Sequence, residues 1–143
     1  MRNLTLHKFL ATLLMAVCSA TLSVAQNVAQ IGTKGYATLQ AAADAAKAGQ
    51  TVTLINDVDL TTGSNLEVHK WLNIVLDMNG HSIKGANADY KNILVSGKLT
   101  LMDSKENSTG KIYAETPYQD GVYDKPLVEV NNGGEFVMES GHI

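Results

Sequence analysis

Gly133-Gly134-Glu135-Phe136-Val137-Met138-Glu139-Ser140-Gly141-His142-Ile143 closes the chain and repeats the grammar of an earlier segment. Leu94-Val95-Ser96-Gly97-Lys98-Leu99-Thr100-Leu101 and Val128-Glu129-Val130-Asn131-Asn132-Gly133-Gly134-Glu135-Phe136-Val137-Met138 share one plan. Each has an alternating apolar strand, a glycine-containing turn and a second alternating strand. Self-similarity on this scale marks a stacked repeat, a solenoid or a propeller. Repeats of this kind account for most residues without any chemistry, so the sequence speaks more firmly about fold and compartment than about activity.

Working outward, the remaining strands share this short, β-branched character. Thr51–Ile55, Leu72–Met78, Ser82-Ile83, Ile93–Val95, Leu99–Leu101, Lys111–Tyr113, Leu127–Val130 and Phe136–Met138 are the predicted strands. Asn79-Gly80 supplies a turn between two of them, because both residues tolerate positive φ. Short strands separated by glycine turns allow a sandwich as well as a solenoid. Two features favour the solenoid. Ile83, Ile112 and Ile143 each follow a glycine closely and lie 29 residues (83 to 112) and 31 residues (112 to 143) apart. That is about the length of one turn of a parallel β-helix, so inward residues of successive turns would stack. The second feature is a helix predicted over about 38–48, where a terminal cap belongs. Thr38 suits its N-cap and Gly49 its C′ position. Alanine dominates between them, and Leu39, Ala42, Ala43 and Ala46 fall on one shallow face.

The start of the chain reads as a secretory signal. Arg2, His7 and Lys8 precede an apolar run from Phe9 to Ala20, and Ser23-Val24-Ala25 predicts cleavage before Gln26. The run is too short to span a bilayer core of about 30 Å. Cys18 raises lipidation, but Val17 is the wrong residue before a lipid-modified cysteine. Cys18 is the only cysteine, so the exported part, residues 26–143, forms no disulfide or thiolate metal site within itself. Its length is enough for one domain with a core. Without Arg2 and Lys8 it carries 9 basic against 14 acidic residues, and the net charge moves from −3 to about −5. Nothing in that balance favours nucleic acid.

Tyr36 to Leu54 resembles the opening segment of pectin-lyase-like right-handed parallel β-helix proteins. Leu76-Asp77-Met78-Asn79-Gly80-His81-Ser82-Ile83 and the terminal Gly-Gly-Glu-Phe-Val-Met-Glu-Ser-Gly-His-Ile are similar to repeats of secreted bacterial surface proteins in that group. The signal ending in Val-Ala-Gln looks like those of secreted Bacteroidetes proteins. The likeness covers nearly all of the exported part, and its motifs are structural. It implies an all-β fold, a right-handed parallel β-helix of about three to four turns with an N-terminal capping helix. Members of the group have more turns, which points to a partial chain.

The group includes polysaccharide lyases and hydrolases with acids on an outward groove. Here the resemblance nominates Asp77 and Asp103, each at the end of an apolar strand. Stacked on one face they would hold Ca²⁺ through oxygen ligands or act as an acid/base pair. The blander reading is that each bonds the local backbone before a turn. His69, His81 and His142 lack any HxH or HxxxH spacing and read as solvated histidines rather than a zinc site. The longest irregular stretch, Ala114 to Pro126, holds Tyr118, Asp120, Tyr123 and Asp124. Tyrosine faces stack on sugar rings and carboxylates bond hydroxyls, which makes these four the ligand-binding candidates. Their plainer role is to pack back on the scaffold. Trp71 reads as a core-edge residue, and Asn79 and Asn132 as a ladder between repeats. Asn107-Ser108-Thr109 matches the glycosylation acceptor pattern and is expected to stay unused in a bacterial-looking chain. No phosphate loop, GxSxG or HExxH motif occurs.

The leading functional expectation is an exported, non-catalytic surface or adhesion-type module, with no resident cofactor, that presents an extended face to glycan or protein partners. Two others stand beside it: the N-terminal part of a polysaccharide lyase or glycoside hydrolase, and a truncated remnant without activity of its own. A stack ending at Ile143 leaves unpaired strand edges, and residues 26–143 are then expected to dimerise end to end or aggregate.

Overall fold

The computed structural model describes residues 26–61, 64–85, 92–114 and 126–143. The expected signal segment and the four ligand-binding candidates of the 114–126 stretch lie outside them. The first element of the described residues is strand β1 (Ala29–Ile31), after which the chain turns at Gly32 and returns as β2 (Lys34–Tyr36). Gly32 has φ +58°, which glycine adopts without penalty, and the two strands pair antiparallel from Ala29 opposite Tyr36 to Ile31 opposite Lys34.

Helix α1 (Leu39–Ala45) follows. Thr38 caps it by accepting a hydrogen bond from the Ala41 N–H (3.1 Å). Leu39, Ala42 and Ala43 are buried, as the predicted face requires. The helix is shorter than expected, because Ala46 is already extended (φ −72°, ψ 140°). Gly49 is therefore not the helix's C′ residue but part of the turn into the next strand. Thr38→Ala is expected to cost about 1 kcal/mol, read as a lowered urea midpoint.

Three passes of the chain then run through three sheets. The first gives β3 (Gln50–Leu54), β4 (Val58–Asp59) and β5 (Leu66–Val68). The second gives β6 (Asn73–Asp77), β7 (Ile83–Gly85) and β8 (Ile93–Val95). The third gives β9 (Lys98–Met102), β10 (Ile112–Ala114) and β11 (Val128–Val130), and β12 (Glu135–Met138) starts a fourth. Each strand pairs in parallel with its counterpart one pass away. The sheet orders are β12-β9-β6-β3-β1-β2, β10-β7-β4 and β11-β8-β5.

Register explains the core. In most strands more and less buried residues alternate, and between passes they align, so buried side chains form columns. Val52, Leu76, Leu101 and Met138 stand in one column, and Val58, Ile83 and Ile112 in another. Leu66, Ile93 and Val128 form a third. Ile83 and Ile112 thus meet as their spacing predicts. Columns thin out towards the last strands, where Met138 is 44% exposed, Val130 46% and Ile143 56%.

The expectation of an all-β, right-handed parallel β-helix is corrected. The described residues form a mixed α/β arrangement of three separate sheets and a helix. One sheet combines parallel pairs with antiparallel ones, since β1 lies antiparallel to both β2 and β3. The physical source is the hairpin at Gly32, whose short strands extend the large sheet in the opposite sense. Strands β1, β2, β4 and β5, absent from the predicted set, are two or three residues long and carry too little periodicity to be legible alone.

Candidate functional site

The corner between the first and second strand of each pass gathers the acids. Asp77 ends β6 and Asp103 follows β9. Neither stands on an outward groove: Asp77 is 7% exposed and Asp103 5%. Asp77 Oδ1 accepts hydrogen bonds from the N–H groups of Asn79 (2.9 Å) and Ser104 (2.9 Å). Its Oδ2 accepts from the Ser104 hydroxyl (2.7 Å). Asp103 Oδ1 accepts from Gly80 N–H (2.8 Å) and Lys105 N–H (3.1 Å), and Oδ2 from Gly110 N–H (2.6 Å). The Asp103 N–H in turn donates to Ser140 Oγ (2.7 Å). Each carboxylate therefore closes its own turn and also ties one pass to the next.

These bonds set the protonation of Asp103. Burial pushes its pKa up, but the N–H groups of Gly110, Lys105 and Gly80 and the nearby His142 outweigh burial, and the net shift is downward from 3.8. Asp59 is also lowered, first by the Thr61 hydroxyl and then by the Thr61 N–H. A carboxylate held ionised by backbone donors is a poor general acid at neutral pH.

The same corner carries the rest of the polar ladder. Asn79 takes the left-handed conformation (φ 47°), and its side-chain NH₂ donates to the Leu54 carbonyl of the previous pass (3.0 Å). Ser82 N–H donates to Asp57 Oδ1 (2.9 Å), and His81 Nδ1 lies 3.4 Å from that oxygen. On the opposite corner it is Asn131, not Asn132, that reaches between passes, to Ser96 Oγ (2.8 Å). His69, His81 and His142 are not brought together. Among the described residues no group of three or more His, Cys, Asp or Glu side chains is arranged to hold a metal ion.

Trp71 departs most from its expected place. It lies in the turn from β5 to β6 and is 76% exposed rather than packed at a core edge. Its indole stacks on the imidazole of His69, with centroids 4.7 Å apart and planes 18° from parallel. The two His69 nitrogens face carboxylates, Nδ1 at 3.5 Å from Glu67 Oε1 and Nε2 at 3.9 Å from Asp44 Oδ1. Gln40 on α1 holds the neighbouring strand. Its amide oxygen accepts from the Glu67 N–H (2.6 Å) and its NH₂ donates to the Glu67 carbonyl (3.2 Å), as a further strand would. The sequence signal missed was the His-x-Trp pair flanked by Glu67, whose partner Asp44 is remote in sequence and reaches it only through the docked helix.

A pocket of about 270 Å³ opens beside β4, lined by Val28, Leu39, Val58 and Leu60 with Thr38 and Asp59 at its polar side. No helix among the described residues is long and apolar enough to cross a membrane. No family model, no curated protein and no solved structure matches the chain.

Proposed function

We propose that the chain is an exported, non-catalytic surface module that presents an extended face to glycan or protein partners outside the cytoplasm, either beyond the cell or in the periplasm. The observation that carries this reading is the engagement of both nominated acids by backbone N–H groups. Asp77 and Asp103 stabilise the corner and do not converge on an open groove. The large sheet supports the binding half of the reading. Thr51, Val75, Thr100 and Val137 stand in register across β3, β6, β9 and β12, between the buried columns. Beside them runs the row of Asn73, Lys98 and Glu135, with Lys98 Nζ 2.7 Å from Glu135 Oε1. An open row of this kind does not enclose a substrate and leaves the face of the sheet accessible to a partner.

Isothermal titration against host and plant glycans tests the proposal, together with an assay for unsaturated products or new reducing ends from polysaccharides with Ca²⁺ present. The expected result is binding heat with at least one glycan and no product. Product formation that disappears in a folded Asp103→Asn protein would replace this reading with that of a lyase or hydrolase.

A further inference from the structure

We infer that the Trp71–His69 corner is a binding site for a neutral oligosaccharide, stacked on the indole and hydrogen-bonded to the carboxylates beside it. This rests on the proposed binding function and names a site for it. Trp71 is the most exposed of the large apolar residues described, and the other three, Val130, Met138 and Ile143, belong to the last strands or the chain end. An indole left in water away from any such edge keeps an apolar ring face that a ligand can cover.

The corner is also preorganised. Leu72 N–H donates to the His69 carbonyl (2.8 Å), closing the turn that carries both rings. Gly97 of the next pass packs so closely that a Cβ there would lie 2.2 Å from the His69 oxygen and 2.3 Å from that of Leu72. The imidazole is oriented by Glu67 and Asp44 and holds the indole from one side. A fixed aromatic plane loses little freedom when a ligand lands on it.

The surroundings decide the ligand class. Protein hot spots sit in desolvated, charge-poor patches, whereas the imidazole stacked on this indole is flanked by the solvent-accessible carboxylates of Asp44 and Glu67. A cationic ligand would compete with the imidazole, which already faces both carboxylates and covers one side of the indole. An acidic sugar would meet two carboxylates. A neutral sugar ring answers both demands, with an apolar C–H face for the indole and hydroxyl donors for Asp44 and Glu67.

Trp71 is the only tryptophan in the chain, so its fluorescence reports this corner alone. The full exported protein would be titrated with neutral gluco- and galacto-oligosaccharides, and with an oligomer of galacturonic acid as the charged contrast. Emission and calorimetric heat are followed together. A saturable emission change with a neutral sugar is expected, at least tenfold weaker with the acidic one. Trp71→Ala is expected to lower affinity tenfold or more, with the circular dichroism of the sheets unchanged. Saturable heat with an unchanged Trp71 emission, and undiminished heat in Trp71→Ala, would overturn the site while leaving the binding function standing. No heat and no emission change with any neutral oligosaccharide would overturn the site and remove neutral glycans from the proposed function.

Discussion

Asp103→Ala is expected to destabilise the protein by about 3 kcal/mol, because it leaves the buried Gly110 N–H and two part-buried N–H groups without their acceptor. Three N–H groups, from Gly80, Lys105 and Gly110, converge on this carboxylate. They belong to two passes of the chain, so the loss opens a turn and loosens the tie between β6 and β9 at once. Urea denaturation followed by circular dichroism measures the effect. A loss below about 1 kcal/mol would mean that water replaces the carboxylate at little cost, and the corner would not depend on it.

Acid extends the prediction. The folded-state pKa of Asp103 lies below 3.8, so its contribution to stability is fully present above that value. It fades as pH falls through the folded pKa and the carboxylate takes up a proton. Asp103→Asn keeps the shape but has no charge to lose. The variant is therefore expected to be less stable than the native protein at neutral pH, with a gap that narrows as pH drops below 3.8. A gap that stays constant through this range would separate the stabilising effect of Asp103 from its charge.

Gly97→Ala is expected to cost about 3 kcal/mol or more, at the upper end of overpacking effects, because the new methyl group meets backbone rather than a side chain that can swing away. The His69 and Leu72 oxygens would lie 2.2 and 2.3 Å from it. Both oxygens already accept hydrogen bonds, from Leu72 N–H (2.8 Å) and Lys98 N–H (2.9 Å), so moving them breaks the turn and the start of β9 together. Gly134 holds the same position one pass later, with a Cβ 2.3 Å from the Val95 oxygen. The melting temperature of Gly97→Ala is expected to fall by roughly 10 °C or more. Displacement of His69 should also alter Trp71 emission. A variant that melts within a degree or two of the native protein would show that this corner has slack that the observed approach denies.

Where alternation was strong, the sequence was legible. Ile74, Leu76, Leu99 and Leu101 follow the two-residue period of strands with one buried face, and the spacing of Ile83 and Ile112 carried the pairing of passes. Thr38 announced its helix by residue type. The helix end was not legible, since Ala46 to Ala48 favour helix by composition while Gln50, pulled into the large sheet opposite Ile74, fixes where the chain must leave it. The β1–β2 hairpin was missed because each strand is three residues long and its turn uses Gly32-Thr33, a weaker signal than Asn79-Gly80. The role of Asp103 was half legible: a local turn contact follows from its position after a strand, but the bond to Gly80 N–H depends on the stacking of passes. Trp71 was misplaced because sequence shows hydrophobicity and not the absence of a neighbour to cover it. The partnership of His69 with Asp44 needs the helix docked beside β5.

Asp77 and Asp103 hold the corners of the fold through backbone donors, and the proposed binding role rests on that engagement. The measurement that tests it most directly is the titration of the Asp103 carboxyl carbon by nuclear magnetic resonance in the folded protein. A midpoint below the ordinary aspartate value of 3.8 is expected, reached with a loss of the Gly110 and Gly80 amide shifts that accompany the bound carboxylate. A midpoint raised towards about 6, as in a carboxyl kept protonated for acid catalysis, would show that backbone donors do not hold Asp103 ionised and would make it a candidate catalytic acid.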